Sequence, residues 1–174
     1  MIMESQKDGP VITRDREKGW VVEEGKRLVT FRLKTFQAFE SRLTSVVGAI
    51  VGGVVLYQIG NEMGRITYDY SREAIKSESD LGPVLDGVLT VRGWGRCEAF
   101  DKETRDGKIT FTLRITGTPS SYERSSVKPT CYVESGIVSG FLEAYFGKKA
   151  QSHSELTCVS TGSRYCIFET TFIQ

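Results

Sequence analysis

From Ser45 to Gly60 the chain has no charged side chain, and this run narrows the possible folds more than any other feature. It is shorter than the roughly 20 apolar residues that a helix needs to cross a bilayer, and polar Gln58 and Asn61 interrupt its end. Phe36, Phe39, Leu43, Val46, Val47, Ile50, Val51, Val54 and Val55 recur at steps of three and four, the period of a helix with one apolar face. The spacing predicts a buried core helix from about Thr35 onward. Gly48, Gly52, Gly53, Gly60 and Gly64 each weaken such a helix by about 1 kcal/mol relative to Ala. Close approach of a partner helix, or of a ligand lying on the bare backbone, is the compensation expected.

The remainder of the chain alternates between strand and helix patterns. Leu81 to Leu85 reads as a short helical turn and Gly87 to Phe100 as the first long strand. Asp101 to Gly107 is a charged connection ending in Asp-Gly, a two-residue hairpin signal, before the alternating strand Lys108 to Thr116. Thr118 to Thr130, with Pro119, Pro129 and several hydroxyl residues, suits a loop. A second helix carries Val133, Ile137, Phe141 and Tyr145 on one stripe and stops at Gly147. Gln151 to Val159 and Tyr165 to Phe172 read as a last hairpin. The fold class expected is α+β, a four-stranded antiparallel sheet with helices packed on one face. Residues 1–24 are expected to be a polar amino-terminal segment, with or without a short edge strand, and residues 25–174 a single domain.

Composition bears on function mainly by exclusion. The 23 basic and 22 acidic side chains nearly cancel, so no global field draws the protein to nucleic acid or anionic lipid. The polar amino terminus lacks the apolar stretch of a secretory signal, and a cytoplasmic location is expected. Four cysteines in that compartment are thiols or metal ligands more often than a disulfide framework.

Cys131 opens the second helix, while Cys158 and Cys166 stand on the two arms of the last hairpin, with seven residues between them. Three thiolates and one further ligand complete a tetrahedral zinc site; Glu155 and His153 compete for the fourth position. Side chains alternate along a strand, so a site using both Glu155 and Cys158 requires a bulge between them. Buried apolar cysteines, or a Cys158–Cys166 disulfide, are the alternatives. Cys97 fits no cluster.

Leu56-Tyr57-Gln58-Ile59-Gly60 with Gly64, Gly93-Trp94-Gly95-Arg96, and Cys131 followed by Glu155-Leu-Thr-Cys158 and Cys166-Ile-Phe168 together resemble the 4-vinyl-reductase domain family, from about Gly25 to Phe172. The resemblance implies a fold similar to the TRAPP trafficking subunits and to the sensory domain of aromatic-responsive bacterial transcription activators. It also implies structural zinc at Cys131, Glu155, Cys158 and Cys166, a small-molecule pocket between helices and sheet, and a homodimer formed through helices. Those sensors orient phenol with a histidine before the first long strand and a tryptophan on the next. Here Gly82-Pro83-Val84-Leu85 stands at the first place and Lys108 to Thr118 holds no tryptophan, so a hydrophobic or aromatic ligand without that anchor is expected.

Tyr57, Trp94 and Phe141 are candidates for lining the pocket. A closed four-ligand zinc has no open position at which to activate water, and no nucleotide-binding glycine fingerprint occurs. A ligand-binding or sensory module that signals to another, regulatory protein is therefore favoured. A scaffold or dimerisation subunit of TRAPP type, or a component of a tetrapyrrole vinyl reductase, stands as the alternative.

Overall fold

The structure, a computed structural model, describes residues 12–23 and 25–174; the rest of the expected amino-terminal segment, including Val11, lies outside the described residues. Three short strands, β1 (Ile12–Asp15), β2 (Trp20–Glu23) and β3 (Lys26–Leu28), form an antiparallel meander of their own. Helices α1 (Leu33–Val47), α2 (Ala49–Ser71) and α3 (Leu81–Val91) follow. The main sheet contains β4 (Arg96–Arg105), β5 (Lys108–Thr116), β6 (Ser152–Thr157) and β7 (Cys166–Ile173), with α4 (Tyr132–Phe146) between β5 and β6. Its order is β4-β5-β7-β6, and every neighbouring pair is antiparallel. This is the α+β fold class read from the sequence.

Period-two alternation makes the inner face of the sheet. Phe111, Leu113 and Ile115 of β5 and Cys166, Phe168 and Phe172 of β7 are buried, as alternate residues of a half-covered strand must be. Opposite them lie Leu81, Leu85 and Leu89 of α3, at helical steps of four, and Val133, Ile137 and Phe141 of α4. Each fully buried side chain of this kind contributes about 1.5–3 kcal/mol. Asp106 and Gly107 turn the β4–β5 hairpin with φ of 50° and 70°, the two positive values that a type I′ turn demands.

Two element assignments are corrected. The apolar run predicted as one helix is two, because Gly48 takes φ 87° and ψ 152° and ends α1 before α2 begins; only glycine occupies that region at no steric cost. Residues 87–91 belong to α3 rather than to the first long strand, which begins at Arg96 and runs through the segment expected as a charged connection to Arg105. Val88 to Val91 suits either period. Burial of Leu85 and Leu89 against the sheet selects the helix.

The α2 glycines serve helix packing. A Cβ on Gly60 would overlap the carbonyl of Val133, and one on Gly64 the carbonyl of Ile137. In return, Gly136 and Gly140 of α4 lie against the backbone of Tyr57 and Asn61. Small residues four apart on both helices let the two backbones approach closely. Gly52 meets Thr44 of α1, where a Cβ would come within 2.8 Å of its Cα, and Gly53 meets the Tyr132 ring. Of the two compensations expected for these glycines, close packing is therefore the one observed, and protein atoms fill the space in which a ligand would lie on their backbone.

Candidate metal centre and ligand cavity

The last turn of the loop before α4 delivers Cys131, and the β6–β7 connection delivers Cys158 and Cys166. Between Glu155 and Thr157 the register of β6 against β7 shifts, with Phe168 and Ile167 as the successive partners. This irregularity takes Leu156 out of the alternation and lets Glu155 and Cys158 face the same point. One ligand atom from each of Cys131, Glu155, Cys158 and Cys166 falls within 4.8 Å of all the others. The Cys131 Sγ lies 3.5 Å from that of Cys166 and 3.6 Å from that of Cys158, and Cys158 and Cys166 are 3.9 Å apart.

These separations fit a shared cation. Four ligands around zinc at about 2.3 Å per sulfur place the sulfurs about 3.8 Å apart, whereas a disulfide needs about 2.05 Å; all four cysteines are free thiols. The backbone N–H of Cys131 donates to Oε2 of Glu155 at 3.2 Å, while Oε1 is buried with no hydrogen-bond partner. An orphaned carboxylate oxygen beside three buried thiols is costly unless a cation satisfies it.

The contacts within the cluster push its groups in opposite directions. Hydrogen bonds from Cys131 and then Cys166 drive the Cys158 thiol far below its ordinary range. Donation to Cys158 and Cys166, with burial added, drives Cys131 far above it. Burial, followed by the contact with Cys158, raises Glu155 to about 9. His153, the competing ligand, points elsewhere: Nε2 shares a 2.7 Å hydrogen bond with Ser135 Oγ, and Nδ1 one of the same length with Thr170 Oγ1. Cys97 is separate from the cluster, half-buried on β4 with its thiol donating to the Ala99 carbonyl at 3.3 Å.

A buried polar network that sequence reading missed adjoins the metal cluster. Ser120 donates its hydroxyl to Oε1 of Glu40 at 2.5 Å and its backbone N–H to Oε1 of Glu134 at 2.8 Å. Arg124 donates to Oε2 of Glu40 at 2.8 Å and to the Gln37 carbonyl at 2.6 Å. The network ties α1 to residues 118–124 and to the first turn of α4. The available signal was the acidic Glu134 in the first turn of α4, on a helix most of whose residues are apolar.

The three pocket candidates are not brought together. Phe141 is fully buried, edge-on to Tyr68, and Tyr57 donates to Ser139 Oγ at 2.8 Å and packs beside the His153 ring. Neither is among the residues lining a half-open cavity of about 240 Å³ bordered by the amino-terminal meander, α2, α3 and α4. Trp94 does line it, and its ring meets Phe36 edge-on at 5.3 Å. Leu28, Met63, Ile66, Leu89 and Ile137 supply most of the apolar wall.

Among solved structures, the chain is similar to the phenol-responsive sensory domain of the transcription activator PoxR, crystallised with phenol. The two are 16% identical over 92% of this chain and 84% of that one, with a TM-score of 0.75. It is also similar to a vinyl-4-reductase family protein from Methanocaldococcus jannaschii, 23% identical over 82% of each chain, with a TM-score of 0.55. At these identities the likeness is one of fold. No curated protein sequence matches the chain. The stretch that carries all four clustered ligand residues, residues 112–172, matches the family model of the 4-vinyl-reductase domain, in agreement with the resemblance drawn from the sequence.

Proposed function

We propose that this chain is a sensory domain that binds a small hydrophobic or aromatic molecule, with one structural zinc ion held by Cys131, Glu155, Cys158 and Cys166. The observation that carries the binding half is the cavity faced by Trp94 between α2, α3 and the meander; the shared fold with a phenol-responsive domain supports it. The convergence of four ligand atoms, with Glu155 Oε1 unsatisfied, supports the metal half. Bound there, zinc would supply cohesion, joining the start of α4 to the β6–β7 hairpin. Thiolate ligands of this kind suit a reducing compartment such as the cytoplasm.

In this proposal residues 25–174 act as one domain, to which the preceding segment lends Glu23 as part of the cavity wall. The working form is a homodimer. Ile50, Val51, Val54, Val55 and Ile59 form an exposed apolar face on α2, Ile50 being 86% exposed, and a contiguous apolar face of this kind marks a protein contact. The same face favours a second reading, a scaffold subunit of TRAPP type in which α1 and α2 dock other chains. No helix among the described residues is long and apolar enough to cross a membrane.

Native mass spectrometry of protein purified without chelator tests both halves. The expected result is a mass increment for one zinc per chain and, under gentle conditions, a bound organic molecule. A metal-loaded protein that carries no small molecule, and takes up none, would leave the scaffold reading in its place.

A further inference from the structure

Every sulfur of the metal cluster is met by a hydroxyl. Thr118, fully buried, places Oγ1 3.4 Å from the Cys131 sulfur and 3.4 Å from that of Cys166. The buried Ser121 Oγ stands behind it at 2.5 Å, held there by a turn in which the Ser121 N–H donates to the Thr118 carbonyl at 3.2 Å. On the other side Ser160 Oγ lies 3.1 Å from the Cys158 sulfur and accepts from the Thr130 hydroxyl at 3.1 Å. The backbone N–H of Val159 donates to Cys166 Sγ at 3.4 Å. Among the described residues, the hydrogen bonds at the three sulfurs involve hydroxyls, one another and this N–H, and none comes from a lysine or arginine.

Three thiolates and a carboxylate bring more negative charge than a divalent cation can cancel, and buried charge in excess is costly unless hydrogen bonds disperse it. A thiolate has no proton to give, so beside a loaded site these hydroxyls can only donate toward sulfur. That fixes the sense of both chains: Ser121 donates to Thr118, which serves Cys131 and Cys166, and Thr130 donates to Ser160, which serves Cys158. A hydroxyl that is itself accepting a proton is the stronger donor. Of the four, Thr118 alone reaches two sulfurs within 3.4 Å. We infer that Thr118, backed by Ser121, is a positioning residue of the metal centre, which orients the Cys131 and Cys166 sulfurs, disperses their charge and so sets the affinity for the ion. This inference rests on the zinc reading above and assigns the groups that surround the same site.

The test measures zinc affinity of the full chain by competition with a chelator. It is paired with the spectrum of the same chain loaded with cobalt(II), whose sulfur-to-metal charge-transfer band reports electron density on the thiolates. Thr118→Val removes the hydroxyl at nearly constant shape and is expected to weaken zinc by about 10–100-fold, the usual cost of losing a partner that orients a metal ligand. The band is expected to move to lower energy, because sulfur electrons are held less tightly without the hydrogen bond. Thr118→Ser is expected to restore both readings, and Ser121→Ala to move the band the same way by less. A parental band and affinity in Thr118→Val overturn the inference and leave the zinc site standing. Equal losses in Thr118→Val and Thr118→Ser with the band unmoved do the same, by making Thr118 a packing residue. If Thr118→Val does not fold, an unmoved band in Ser121→Ala overturns it. A parent chain that takes up neither zinc nor cobalt removes the zinc reading and this inference with it.

Discussion

The backbone N–H of Ser120 donates to Oε1 of Glu134 at 2.8 Å, and Oε2 of that carboxylate is buried with no hydrogen-bond partner. Burial raises the Glu134 carboxyl to about 7, and Glu40, across Ser120 and also raised by burial, adds like charge. The folded state therefore binds more protons than the unfolded chain between about pH 4.5 and 7. The contribution of Glu134 to stability falls as pH rises through that window and levels off above it, by on the order of 3 kcal/mol. Glu134→Gln keeps the acceptor for Ser120 and removes the titration. Urea unfolding of zinc-loaded protein from pH 5.5 to 8 should show a flatter profile for the variant and a gain over the parent at pH 8. A parental slope persisting in the variant would assign it to another group.

Removal of the metal is expected to loosen the start of α4 and the β6–β7 hairpin together. Cys158→Ser and Cys166→Ser should each cost more than about 4 kcal/mol, because loss of a structural metal belongs to the few mechanisms with effects of that size. Cys97→Ser, at a half-buried thiol outside the cluster, should cost about 1 kcal/mol. Thermal melts with matched zinc content check the ranking. Equal effects at the three positions would remove the case for a metal at this site.

Packing of α2 on α4 makes Gly60 and Gly136 intolerant of even one methyl group. Gly60→Ala and Gly136→Ala should destabilise by about 3 kcal/mol, the upper part of the usual overpacking range, because the obstacle in each case is backbone that cannot rotate aside. Gly87→Ala, at a helix position with open space around it, should be neutral or stabilising by up to about 1 kcal/mol. Denaturant midpoints of the three variants provide the comparison.

For the proposed homodimer, Ile50→Asp and Val54→Asp place charge in the exposed apolar face of α2 without touching the core. Light scattering at micromolar concentration should give a dimer for the parent and a monomer for the double variant, with unfolding free energy per chain lowered in the monomer. A monomeric parent would withdraw the proposal.

Local chemistry made much of this fold legible in the sequence. Strand β5 carries an unbroken alternation from Lys108 to Thr116, Asp106-Gly107 is the expected turn, and Gly147, with φ 63°, ends α4. The clustered cysteines were readable because hairpin arms and a helix start are brought together by short connections. The features that stayed hidden depend on distant partners. Which of several glycines would break the first apolar run was decided by what α1 packs against, through Gln37 and Glu40 to residues 119–124. The cavity wall likewise joins Glu23 and residues 26–28 to Met63, Leu89, Trp94 and Ile137, and no periodicity within one segment records that meeting. Phe141 packs in the core, and Tyr57, half-buried, donates to Ser139 of α4, contacts with elements far along the chain that the local pattern around each residue does not record.

Gly48 fixes the angle at which α1 leaves α2. With that residue left-handed, α1 folds back and its Glu40 and Gln37 reach the Ser120 and Arg124 region of the same chain. An alanine there would favour the straight continuation, and residues 33–71 would form a rod of roughly 60 Å at about 1.5 Å per residue. Ser120 and Arg124 would then lose the Glu40 carboxylate that joins them to α1, and that buried network would come apart.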